Sequence, residues 1–223
     1  MSSSAPTLSL RYLIRSPLQK SDSPPLLLLL HGVGSDERDL FGLSSMLDDR
    51  FLIISPRAPI ALPQGGFGWY PLHFTAHGPV IEVDAALESQ QRLNQFLAEV
   101  IETYHVDTRR VYLMGFSQGG IMSLNTLLTD PDKITGAVIM SARLLVELQD
   151  TWAAPERLAD KPIIVAHGVY DPVLPITYGR AIRDFLLTLP VKLEYHEYPM
   201  VHQVSADSLS DVQTWLTAQL ESD

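Results

Sequence analysis

The chain contains no cysteine, which excludes disulfides, thiolate metal sites and a cysteine nucleophile together. Basic residues are scarce: 16 Lys and Arg stand against 26 Asp and Glu, a formal net charge of -10. Such a balance lacks the basic face that nucleic acid requires and disfavours attachment to anionic membrane surfaces. We read the acidity as solubility rather than as a partner signal. Long apolar runs are missing too. Leu26 to Leu30, after Pro24-Pro25, is five residues long, against the roughly 20 that a membrane helix needs. It is expected as a buried strand, and no integral membrane association is expected. No basic segment followed by an apolar run opens the chain, so no secretory signal is expected and the expected location is cytoplasmic.

What is present suits one α/β domain over residues 1–223, with 46% hydrophobic and 19% charged residues and no repeat, linker or low-complexity tract. Apolar runs alternate with longer amphipathic stretches, the pattern of a mostly parallel sheet flanked by helices. Strands are expected at Leu8 to Ile14 (an edge), Leu26 to Leu30, Phe51 to Ile54, Val111 to Met114, Ile134 to Met140, Ile163 to Ala166 and Val191 to Tyr198. Helices are expected at Asp39 to Leu47, Val83 to Tyr104, Gly120 to Thr129 and Ile176 to Leu187, with a last one behind Ser205 as N-cap. Pro56 to Pro79, rich in Pro and Gly, is expected as the longest irregular segment.

Gly115-Phe116-Ser117-Gln118-Gly119 lies between an apolar β-rich run and a helical one. G-x-S-x-G in that setting is a tight strand-to-helix turn that lifts the serine Oγ out of the sheet. The flanking glycines are expected where a Cβ would collide with a neighbouring strand or helix. A serine hydroxyl needs a base, ordinarily a histidine held in one tautomer by a carboxylate, and in this arrangement the chain order is Ser, acid, His. Of the seven histidines only His196 and His202 follow every candidate acid. His196 falls inside an alternating strand, whereas His202 follows Pro199-Met200-Val201 at a strand end, where a sheet-top base belongs. Asp171 ends a strand in the same way, before Pro172. Taken alone it reads as an Asp-Pro turn residue; in order with Ser117 and His202 it reads as the acid. Two oxyanion donors are also required. The Gln118 amide lies at a helix N-terminus, and the Val33 amide lies in the His31-Gly32-Val33-Gly34 turn after an early strand. His31 itself is expected to be structural.

Four blocks carry a resemblance: His31 to Leu40, Gly115 to Gly120, His167 to Pro175, and Met200-Val201-His202. In this order and across almost the whole chain they resemble the phospholipase/carboxylesterase family, which includes acyl-protein thioesterases and small bacterial carboxylesterases. The resemblance implies an α/β-hydrolase fold with no sizeable cap domain, Ser117, Asp171 and His202 as the triad, and Val33 and Gln118 as the oxyanion amides. The chain departs from the family pattern at Val201, where glycine is usual before the histidine, and after the strand that follows the nucleophile helix, where the family tends to have Ser-Gly and here Ser141 is followed by Ala142-Arg143. Both reshape the pocket; neither removes a catalytic atom.

The expected function is hydrolysis of small carboxylic esters or thioesters through an acyl-enzyme, with no cofactor and no metal. Acyl transfer uses the same residues, and a non-catalytic binding protein of this fold would ordinarily have lost one of them. Phe67, Trp69 and Tyr70, in the glycine-rich Gln64 to Tyr70 segment, are expected either to line the acyl pocket or to cap the core. That segment lacks the lysine of a phosphate loop. His73 and His77 are four apart, but Pro71, Gly78 and Pro79 argue against a regular helix there, so the spacing is not read as a metal site. Arg143 is read either as meeting an anionic substrate group at the site mouth or as an ordinary solvated arginine. A homodimer sharing apolar loop residues is left open; no sequence feature demands one.

Overall fold

Strand alternation divides the apolar residues between two helical layers. Leu26, Leu28 and Leu30 point to one side of the sheet and Leu27 and Leu29 to the other, and all five are fully buried, as a central strand covered on both faces requires. The computed structural model describes residues 6–75 and 78–221. Its seven-stranded sheet is built from β1 (Tyr12–Arg15), β2 (Leu26–Leu30), β3 (Leu52–Pro56), β8 (Val111–Phe116), β9 (Gly136–Met140), β10 (Pro162–Gly168) and β11 (Lys192–Tyr198). The spatial order is β1-β3-β2-β8-β9-β10-β11. Every pairing is parallel except that of the edge strand β1 with β3.

On one face lie α1 (Val83–Thr103), α2 (Gln118–Thr129) and α3 (Ile176–Leu186). Phe96 and Val100 of α1, Leu124 and Leu127 of α2, and Ile182 of α3 pack with Leu28 and Leu113. On the other face α4 (Ala206–Glu221) sets Val212, Trp215 and Leu216 against Met114, Val138 and Ile164. Ser205 caps α4 as expected. Its Oγ accepts from the Ser208 amide at 3.2 Å, while its own amide donates to Ser208 Oγ at 2.9 Å, a capping box closed by two serines. No helix among the described residues is long and apolar enough to cross a membrane.

Two expectations need correction. The edge strand begins at Tyr12 rather than Leu8, while the short helix expected at Asp39 to Leu47 is a 3-10 helix at Leu40–Met46. The segment after β3 is not irregular throughout: it holds two small hairpins, β4 (Ile60–Ala61) with β5 (Phe67–Gly68), and β6 (Leu72–Thr75) with β7 (Gly78–Ile81). Its glycines suit tight turns, and strand pairs of two to four residues leave little periodicity to read. The glycine-rich backbone also joins the turn after β2: the Gly34 amide donates to Phe67 O at 2.8 Å, and the Phe67 amide to Ser35 O at 2.8 Å.

Candidate active site

β8 ends in the turn that carries Ser117. Its backbone is held at φ 52°, ψ -123°, a left-handed conformation unfavourable for a residue with a Cβ and common at functional turns. Two hydrogen bonds hold it: the Ser117 amide donates to Met140 O of β9, and the Ile121 amide to Ser117 O, each at 2.9 Å. The neighbouring glycines allow the close approach. A Cβ on Gly115 would lie 2.2 Å from Gly119 O and 2.5 Å from Ser123 Oγ, and one on Gly119 would lie 1.9 Å from Leu30 O. α2 therefore starts against the end of β2, with its N-terminus under the serine.

The loops after β10 and β11 are stitched together. The Val169 amide donates to Tyr198 O at 2.9 Å and the Tyr170 amide to Met200 O at 3.1 Å, which brings Asp171 and His202 side by side over Ser117. Ser117 Oγ donates to His202 Nε2 at 3.0 Å, and His202 Nδ1 donates to Asp171 Oδ2 at 2.7 Å. This arrangement commits the imidazole to the tautomer with its proton on Nδ1. Asp171 uses its two oxygens for different contacts. Its Oδ1 accepts the Val173 and Leu174 amides at 2.8 Å each, as an Asx turn does, and its Oδ2 faces the histidine. His167, fully buried on β10, donates from Nε2 to Leu174 O at 2.7 Å. It thereby pins the turn whose amides hold Asp171.

The turn after β2 lies directly beside the serine, since a Cβ on Gly32 would come within 3.3 Å of Ser117 Cβ. His31 is structural. Its Nδ1 donates to Gly32 O at 2.8 Å, and its Nε2 accepts the Ala58 amide at 3.0 Å. Glu37, buried in the same loop, holds Arg57 through Nε at 2.5 Å and Nη2 at 2.7 Å, fixing the loop that presents Val33 to the end of β3. The Gln118 amide is the first of α2 and so lies ahead of the intrahelical ladder, available to an outside acceptor.

A cavity of about 670 Å³ opens at Ser117, within the range of small-molecule sites. Val33, Leu62, Leu72, Ile121, Val173 and Leu174 supply apolar wall, and Gln118, Tyr70 and Arg143 also line it. Of the three aromatics expected either to line the pocket or to cap the core, Tyr70 lines the cavity. Trp69 is fully buried, donating from Nε1 to His31 O at 3.1 Å, and Phe67 lies under the Arg57 guanidinium, 4.2 Å from its centre. The cause is Gln118, whose side chain grips the loop: Oε1 accepts the Trp69 amide at 2.7 Å and Nε2 donates to Tyr70 O at 2.8 Å. This clamp turns the indole inward, and no local pattern in the sequence announces it.

His196 pairs with Glu194 on β11, at 2.7 Å and away from the serine. His73 pairs with Glu82 at 3.0 Å beside the cavity, and His77 lies outside the described residues. Arg143 is not solvated: its side chain is 10% exposed and paired with Glu147.

A parallel sheet with a serine at the tight turn after its central strand, and an Asp-His pair from the loops of two later strands, is the α/β-hydrolase fold. Residues 14–220 match the phospholipase/carboxylesterase family, and the chain belongs to it. An acyl-protein thioesterase of Candida albicans is 29% identical over 218 residues, covering 89% of this chain and 94% of that protein. A probable carboxylesterase of Arabidopsis thaliana is 27% identical over 222 residues, covering 93% of this chain and 84% of the relative. The fold is shared with a carboxylesterase of Bacillus cereus at a TM-score of 0.80 and 22% identity, with 94% of each chain covered.

Proposed function

We propose that this protein is a serine hydrolase of carboxylic esters or thioesters, working as one α/β-hydrolase domain through an acyl-enzyme. The observation that carries this reading is the unbroken hydrogen-bonded chain from Ser117 through His202 to Asp171, with Ser117 lining a cavity that has both apolar and polar wall. In the first half-reaction Ser117 Oγ bonds to the substrate carbonyl carbon and passes its proton to His202 Nε2. Asp171 holds the imidazole and stabilises its cation. The carbonyl oxygen becomes an oxyanion, met by the amides of Val33 and Gln118. Collapse breaks the bond to the alcohol or thiol, which leaves with the proton from His202. Water, deprotonated by the same histidine, then releases the acid. The relatives named for thioesterase and carboxylesterase activity support both substrate classes. The absence of cysteine supports a cytoplasmic location.

Hydrolysis of p-nitrophenyl esters from acetate to palmitate, wild type beside Ser117→Ala, tests the reading. Folded Ser117→Ala should lose on the order of 10⁴- to 10⁶-fold in kcat, since members of such a set act as a unit. Labelling of wild type by a fluorophosphonate, abolished in the variant, should accompany that loss. Turnover that survives the substitution would remove Ser117 as nucleophile.

A further inference from the structure

Arg143 lies in the cavity wall with only part of its hydrogen-bonding capacity used inside the chain. The guanidinium has five N–H donors with distinct edges. Nη1 donates to Leu144 O at 2.7 Å and to Glu147 Oε2 at 3.0 Å, and Nη2 donates to Glu147 Oε1 at 2.8 Å. Glu147 therefore occupies the edge between the two terminal nitrogens. The other fork, formed by Nε–H and the second Nη2–H, has no partner among the described residues, although the side chain is nine-tenths buried and borders the same cavity as Ser117. This edge is open to the cavity rather than sealed from it, and an Arg fork of this kind matches the two oxygens of a carboxylate. Ile121, Leu72, Val173 and Leu174 add apolar wall to this cavity; Gln64, His73 and Glu82 line it too, with the Glu82 carboxylate paired to His73.

We infer that the open fork of Arg143 receives a carboxylate at the far end of the substrate, so that the preferred substrates are half-esters or half-thioesters of dicarboxylic acids. The inference rests on the hydrolase reading above and names its substrate class. Glu147 has two functions here. It neutralises the guanidinium in the free protein, limiting the cost of burying it, and it orients the open fork. The contact is remote from the reacting carbonyl and is made in ground and transition states alike, so its effect belongs in KM rather than kcat.

The test compares monoethyl adipate with ethyl hexanoate, which match in acyl length and differ in the terminal carboxylate. Wild type should favour the adipate by about 10- to 100-fold in kcat/KM, the range of a hydrogen bond to a charged group, with the difference in KM. In Arg143→Met the preference should vanish. Because that change leaves Glu147 unpaired, the double variant Arg143→Gln with Glu147→Gln is the companion that removes both charges, and its ratio should fall to near unity. A role confined to bracing the loop would lower both esters equally and leave the ratio intact, overturning the inference, as would a wild type that prefers ethyl hexanoate. If neither ester is hydrolysed, the hydrolase reading fails separately, and calorimetry with adipate and hexanoate decides the fork. Binding of adipate alone, lost in the double variant, upholds it, and absence of adipate binding overturns it.

Discussion

Gln118 is placed twice over: its amide stands at the head of α2, and its side chain bonds the backbone of Trp69 and Tyr70. Replacing it with Met keeps the amide and removes the clamp, leaving the buried Trp69 N–H and Tyr70 C=O without partners. Each unmet group costs about 1–3 kcal/mol, and a domain of this size shifts by about 2–4 °C per kcal/mol. Gln118→Met should therefore lower Tm by roughly 4–24 °C and raise KM through a loosened cavity wall. Thermal unfolding and ester kinetics together check this: an unchanged Tm would show that the clamp contributes nothing. At this scale the sequence was legible where chemistry is local. The G-x-S-x-G turn and the Asp171-Pro172 turn are short-range backbone devices, and both positions could be named. The clamp joins residues 49 apart, and nothing near either end betrays it.

Between elements, the decisive contact is α2 against the ends of β2 and β8. Ala ordinarily suits a helix better than Gly by up to about 1 kcal/mol, so Gly119→Ala and Gly120→Ala would both be stabilising on propensity alone. Sterics separate them. A Cβ at 119 would sit 1.9 Å from a carbonyl oxygen of β2, whereas at 120 the nearest contacts are 3.0 and 3.1 Å. Gly119→Ala should therefore push α2 off the sheet, abolish activity and cost more than about 3 kcal/mol, and Gly120→Ala should cost about 1–3 kcal/mol, the usual range for overpacking. Urea unfolding of the two variants measures the gap, and equal midpoints would refute the close-approach argument. The element pattern itself was largely readable, because continuous apolar runs and 3.6-residue periodicity identify buried strands and amphipathic helices. The two hairpins after β3 were not, because pairs of two to four residues depend on the backbone they meet.

For the whole molecule, the response of stability to acid follows from two buried histidines. Burial lowers the pKa of His31 and of His167 from the ordinary 6.5, outweighing the favourable bonds to Gly32 and Leu174. A proton on His31 Nε2 would face the Ala58 N–H, and His167 Nδ1 is buried with no partner among the described residues. The unfolded chain then binds more protons than the folded one below pH 6.5, so stability falls as pH drops from there toward the lowered folded values. Asp36, Asp48 and Glu197 are held down to about 2 by Arg38, Arg50 and Arg180. Their contribution is complete above the usual carboxylate range and is lost only in stronger acid, so it does not enter this window. Urea midpoints from pH 7.5 to 5 should fall, and His167→Gln, which retains a donor for Leu174 O, should flatten the decline. A flat wild-type profile would contradict it.

Ser117, Asp171 and His202, their order, and the strands that deliver them were determined by the sequence alone. Each sits at a punctuation point of the backbone, and chain order at a parallel sheet's edge leaves few alternatives. Only the tertiary structure decided the lining of the cavity: that Tyr70 faces it while Phe67 and Trp69 do not, that Arg143 is buried and paired, and that His167 supports Asp171. The physical reason is that these outcomes depend on which hydrogen-bonding groups meet across segments far apart in the chain. A side chain's direction follows the partner that satisfies its neighbours' backbone, and that partner exists only once the sheet has assembled.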